Sequence, residues 1–116
     1  DGYNEDLEYA RNVSLDSSDN LVTLCVFPDE KWARRIVGAY ANELATRSPE
    51  RAHAILVEQP TGHLVSIRAP RDKPRNAHRV ALEFNTGGGR ESAAGIQSLP
   101  SECVSKLVES MRRYFG

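Results

Sequence analysis

The chain has 116 residues, with 15 Lys and Arg against 16 Asp and Glu, for a formal net charge of −1 at pH 7. That length suits one domain with a core of its own, without metal or disulfide staples. Balanced charge excludes a global field for nucleic acid, so attraction for polyanions must be local. No apolar run approaches the ~18 residues of a membrane span.

Cys25 and Cys103 sit in apolar patterns rather than a C-x-x-C pair and read as buried free thiols. With no signal-peptide pattern, they point to a reducing, cytoplasmic compartment and no membrane partner. The chain opens at Asp1 rather than Met, as expected of a piece of a longer protein whose remainder holds further chemistry.

Residues 1–20 are polar and acidic and read as a linker or N-terminal arm, with a helical turn around Leu7 and Ala10 and a short strand through Val13 and Leu15. Leu21 to Phe27 is a compact apolar run and a strand candidate, ended by Pro28. Asp29 offers an N-cap for the next element. From Lys31 to Arg47 the pairs Trp32-Ala33, Ile36-Val37, Tyr40-Ala41 and Leu44-Ala45 recur every four residues. One helical stripe therefore faces a core, and Ser48-Pro49 stops it.

Ala54 to Glu58 alternates little, as a central strand covered on both faces does. A turn at Gln59-Pro60-Thr61-Gly62 leads to an antiparallel strand, His63 to Ala69. Period two puts Leu64, Ser66 and Arg68 on one face and Val65 and Ile67 on the other. A basic, proline-punctuated loop follows, containing Arg71, Lys73 and Arg75. Asn76 can cap a short helix running to Asn85, with Arg79 on it. Ala94 to Leu99 is a further strand, and Ser101 caps a last helix with Val104, Leu107, Val108, Met111 and Phe115 inside. Helices alternating with strands imply an α/β fold, a mixed β-sheet with helices packed against it in a single small domain.

Between the short helix and the last strand lies Thr86-Gly87-Gly88-Gly89-Arg90-Glu91-Ser92-Ala93-Ala94-Gly95. Consecutive glycines reach positive φ freely and can turn several N–H groups into an anion nest. Arg90 adds a planar fork matched to phosphate. The plainer alternative is a helix C-cap and connector. The run is neither a P-loop nor a dinucleotide fingerprint, because no Gly-Lys-Ser/Thr follows and the strand and helix stand in the reverse order. His53, His63 and His78 lack ligand spacing. Ser92 has no adjacent base and suits a hydrogen bond to ligand better than nucleophilic attack.

The short helix, Gly87-Gly88-Gly89, and then Ala93-Ala94-Gly95 leading into a strand resemble the C-terminal DHH-associated domain of DHH phosphoesterases, the superfamily of RecJ-type exonucleases, oligoribonucleases and cyclic-dinucleotide phosphodiesterases. The likeness runs from about Leu21 to Phe115 and includes the preceding strand ending in Arg68. It implies that residues 21–116 form a substrate-binding domain which holds oligonucleotide or phosphodiester phosphate through Gly87, Gly88, Gly89 and Arg90, with Arg68, Ser66 and Ser92 beside them. It also implies that the partner is an N-terminal DHH catalytic domain carrying Mn or Mg, and it leaves a homodimer open. This chain contains no Asp-His-His, so no catalytic or metal residue is assigned here and no cofactor is expected in the chain itself. Arg90 stands where the family's pattern has His. The competing reading is a regulatory or assembly domain whose Gly-Arg loop meets an acidic partner; an enzyme complete in these residues is a third.

Overall fold

The computed structural model describes residues 2–12 and 17–116. The strand expected at Val13 and Leu15 lies outside the described residues. In order, the elements are α1 (Gly2–Asn12), β1 (Ser17–Ser18), β2 (Val22–Phe27), α2 (Lys31–Arg47), β3 (Ala52–Glu58), β4 (His63–Arg68), α3 (Ala77–Ala81), β5 (Gly87–Gly89), β6 (Ala93–Leu99) and α4 (Val104–Phe115), the last preceded by a 3-10 turn at Ser101–Cys103. The six strands form one mixed sheet in the order β1-β2-β3-β4-β6-β5, with β2 and β3 parallel and every other pair antiparallel. No helix among the described residues is long and apolar enough to cross a membrane.

α2 is the crossover that makes β2 and β3 parallel. Its apolar stripe of Ala33, Ile36, Tyr40, Ala41, Leu44 and Ala45 is buried as the four-residue spacing requires. Together with Cys25, Phe27, Ile55 and Val57 it forms one core layer. Full burial of a side chain such as Ile36 contributes about 1.5–3 kcal/mol. The opposite face of the sheet, with Leu24, Leu56, Val65, Ile67 and Ile96, packs on α3 and α4 through Val80, Leu107 and Met111. β3 is buried through six consecutive residues because both layers press on it. Cys25 is buried and Cys103 half-buried, and neither is in a disulfide.

The segment read as an arm contains a helix. α1 docks on α2, with Ala10 buried and the Asp6 carboxylate, only 5% exposed, accepting from Arg35 Nε and Nη2 at 2.9 and 3.1 Å. Tyr9 and Trp32 stack at 5.5 Å between centroids. Long-range partners on α2, Arg35 among them, hold this polar segment against the domain.

The three expected caps are not made by side chains. The N-cap of α2 is Glu30 rather than Asp29, and Asp29 pairs instead with Arg34. Asn76 does precede α3 but adopts φ 79°, and its Nδ2 donates to the Tyr114 carbonyl at 3.2 Å, across to α4. Ser101 lies in the 3-10 turn and makes no cap bond. α3 also ends at Ala81 rather than Asn85, because Gly87 lies against its last carbonyl, where a Cβ would sit 1.8 Å from the Ala81 oxygen.

Candidate phosphate-binding site

The glycine run is not a nest. Gly87–Gly89 is the edge strand of the sheet, in register with Gly87↔Ile96, Gly88↔Gly95 and Gly89↔Ala94. Arg90 N–H donates to Ala93 O at 2.8 Å, closing a hairpin with Glu91 and Ser92 at its tip. Successive N–H groups in a strand alternate in direction, so the three glycine amides cannot converge on one anion.

Each glycine has its own reason. Gly87 permits the close approach of α3. Gly89 has φ 144°, and a Cβ there would lie 2.5 Å from Ala94 Cα. Gly88 alone has nothing within 4 Å of an added Cβ. Packing does not require a glycine at that position, and the space above it is open.

The register then assembles the site. Cross-strand partners share a face, and so do alternate residues along a strand. Arg68 pairs with Ala93, and Ala93 lies opposite Arg90 across the hairpin. The two arginines therefore flank Ala93 in one row across three strands, with Cα atoms about 10 Å apart at ordinary strand spacing. The next row is Ser66, Gly95 and Gly88, which carries one hydroxyl and no larger side chain. This face belongs to the α2 side of the sheet. α2 packs over β3 and β4 and stops short of β6 and β5, so the rows form an open shelf.

A cavity of about 320 Å³ lies at the arginine end of the shelf, lined by Asn42, Arg68, Arg71, Arg90, Ser92 and Ala93, among others. A neighbouring one of about 370 Å³ lies over Gly87, Gly88 and Gly95. Arg68 is held in place: its Nε donates to Asn42 Oδ1 at 3.2 Å, and its Nη1 donates to Ser66 Oγ at 3.0 Å and to Ile67 O at 3.3 Å. All three acceptors are neutral. Burial, and then the like charge of Arg90, hold the Arg68 guanidinium below its ordinary pKa. Among the described residues neither Arg68 nor Arg90 has a carboxylate within ion-pair distance, whereas seven other arginines do. Two like charges flank an open cavity whose lining contains no acid, an arrangement that suits an anion.

Of the residues singled out in the sequence, Arg68, Arg90 and Ser92 line the first cavity, and Ser66 positions Arg68. Gly87 and Gly88 line the second cavity, while Gly89 shapes the backbone. Asn42 was missed, since nothing local links it to an arginine 26 residues later. His53, His63 and His78 stay apart on β3, β4 and α3. Among the described residues no group of three or more His, Cys, Asp or Glu is arranged to hold a metal ion.

The fold has clear structural relatives. The C-Ala domain of alanyl-tRNA synthetase from Aquifex aeolicus superposes with a TM-score of 0.66 at 16% identity, covering 88% of this chain and 97% of that one. An exopolyphosphatase-related protein from Bacteroides fragilis gives 0.65 at 16% identity, over 98% of this chain and 35% of the other. The pGpG-specific phosphodiesterase PggH from Vibrio cholerae gives 0.65 at 15%, over 99% and 41%. The chain thus spans well under half the length of the last two. Comparison with curated protein sequences finds no match. The DHHA1 domain matches residues 18–116, so the chain belongs to that family.

Proposed function

We propose that this domain is the substrate-binding lobe of a metal-dependent DHH phosphoesterase, and that the Arg68–Arg90 cavity takes a phosphate of a short oligonucleotide or a related phosphodiester. One observation carries the reading: two guanidiniums without a carboxylate partner among the described residues face one cavity from either side of Ala93. A phosphate there relieves their repulsion and accepts charge-assisted hydrogen bonds, each worth about 1.5–3 kcal/mol. Ser92, at the hairpin tip, adds a hydroxyl donor. The shelf of Gly88 and Gly95 lets the rest of the ligand lie against backbone. Arg90 supplies a planar, bidentate fork for phosphate where the family's pattern has His. On this reading, hydrolysis falls to an N-terminal DHH domain bearing Mn or Mg, and this chain orients the substrate toward it.

The test is an amide NMR titration with a 5′-phosphorylated dinucleotide. Shifts are expected at Gly88, Arg90, Ser92 and Ala93, with affinity falling about tenfold or more in Arg90→Ala and Arg68→Met, or roughly 1.4 kcal/mol each. Shifts absent from these residues, or an acidic peptide binding there more tightly than the dinucleotide, would overturn the reading in favour of an assembly surface.

A further inference from the structure

Charge in this nearly neutral chain is segregated between two surfaces. On α1, Glu5, Glu8, Tyr9 and Asn12 border one cavity of about 260 Å³ on the outward helical face. Tyr9 is 60% exposed, one of two large apolar side chains so placed among the described residues. Its ring is held. It rests on Trp32 at 5.5 Å between centroids, Trp32 rests on Phe27 at 5.5 Å, and Trp32 Nε1 donates to Glu30. Glu5, Glu8 and Glu30 are exposed, and none has an ion-pair partner among the described residues. The face is a fixed aromatic ring beside three uncompensated carboxylates.

The opposite charge gathers on the other layer of the sheet. A cavity of about 460 Å³ between the β4–α3 loop and the end of α4 is lined by Lys73, Arg75 and Arg79, with Glu91 its one acid. These three cations are exposed and also lack an ion-pair partner among the described residues. The loop is tied down. Asp72 N donates to Pro49 O at 3.1 Å, Lys73 N to Pro70 O at 3.0 Å and Asn76 Nδ2 to the Tyr114 carbonyl at 3.2 Å. α1 docks on α2, in the layer of Phe27 and Ile36, whereas α4 belongs to the layer of Leu107 and Met111. The sheet stands between the two surfaces, so α1 cannot reach the cavity of its own chain.

We propose that the α1 face of one copy of this chain docks in the loop–α4 cavity of a second copy, as a head-to-tail contact. Charge complementarity selects the occupant. Carboxylates of Glu5, Glu8 and Glu30 meet the cations of Lys73, Arg75 and Arg79, and Tyr9 offers its ring to a guanidinium. The Tyr9 ring and the loop backbone are both held before contact, so less ordering accompanies it. A net charge of −1 leaves almost no overall repulsion between copies. Exposed ion pairs are individually weak and are screened by salt, so the contact forms at low ionic strength and dissolves in salt. It does not use the Arg68–Arg90 cavity and stands independently of the phosphate assignment.

The experiment is sedimentation equilibrium of the full chain across a concentration series, in about 20 mM and about 0.5 M salt, where the Debye length falls from roughly 20 Å to about 4 Å. In low salt the weight-average mass should climb with concentration above the 12.9 kDa of one chain, and in high salt it should return to that value. Glu5→Lys/Glu8→Lys alone and Lys73→Glu/Arg75→Glu/Arg79→Glu alone, all at exposed positions, should stay monomeric. Their equimolar mixture should associate again, because the reversed α1 of the first meets the reversed cavity of the second. Tyr9→Ser should weaken association about fivefold or more, in the natural chain and in the mixture. Arg68→Met should change none of this. A natural chain that stays monomeric in low salt, or a mixture that fails to associate, would overturn the contact. So would a mixture indifferent to Tyr9→Ser, which marks bulk charge attraction, or association lost in Arg68→Met. Glu102→Lys/Glu109→Lys makes the same change in net charge at exposed acids outside both surfaces. It should keep the association, and an equal loss there would overturn the assignment to α1.

Discussion

Gly87 and Gly88 are neighbours in sequence and opposites in the structure, so an alanine at each gives a sharp test of the edge strand. At Gly87 the added Cβ would lie 1.8 Å from Ala81 O and 2.5 Å from its carbonyl carbon, both backbone atoms. Relief needs the end of α3 to retreat by roughly 1 Å. Val80 and Ala81 are fully buried there, in an interior without slack, where such overpacking costs about 1–3 kcal/mol or more. At Gly88 the Cβ meets nothing within 4 Å, and φ lies outside the left-handed region. Alanine there restricts only the unfolded chain and should stabilise by about 0.4–1 kcal/mol. Urea unfolding, with the m-value checked for constancy, should therefore separate the two variants by about 1.4–4 kcal/mol. Gly88→Ala should nonetheless lose dinucleotide affinity, because its methyl stands on the shelf beside the arginine row. Equal midpoints for the two variants would refute the register of β5 and the close approach of α3. A stable Gly88→Ala with unchanged dinucleotide affinity would refute the use of the shelf.

Arg68→Met should leave urea stability within about 1 kcal/mol, since it removes a desolvated cation that pairs with no acid, while phosphate affinity falls; a large stability loss would make Arg68 a structural residue. His53 is buried with its Nε2 donating to Ser48 O at 3.1 Å and its Nδ1 without a partner, and burial pushes its pKa below the ordinary 6.5. The unfolded chain takes up the proton first, so stability is full above about pH 6.5 and declines as the pH falls toward the folded value. His53→Gln should flatten that slope in pH-dependent unfolding, and an unchanged slope would count against it. Asp19 Oδ1 accepts from Val22 and Leu21 N–H at 2.9 and 2.8 Å, and its Oδ2 accepts from Arg112. These contacts, the backbone ones first, hold its pKa at about 2 against a usual 3.8. Its contribution is present above pH 3.8 and disappears as the pH approaches 2. Asp19→Asn should remove that part of the acid-unfolding limb, and an identical limb would argue against it.

Local pattern located α2, by its four-residue stripe and the Ser48-Pro49 stop, placed β3 at the centre of the sheet by its lack of alternation and gave β4 its antiparallel partner by the short turn at 59–62, because each of these signals lies within one segment. It also put Ser66 and Arg68 on one face. The glycine run was visible as unusual and its conformation was not. Glycine has no strand preference of its own, so Gly87–Gly89 is extended only because β6 pairs with it and α3 leans on it. The pairing of β6 with both β4 and β5 decided that Arg68 and Arg90, 22 positions apart in the chain, stand in one row, and the packing of α2 on β4 decided that Asn42 steadies one of them. The acidic first segment docks as a helix on α2 through residues such as Arg35, far along the chain. Local pattern records what a residue prefers, while which charges are left facing each other without a counter-ion is set by strand register and helix placement, and these exist only once the chain has closed on itself.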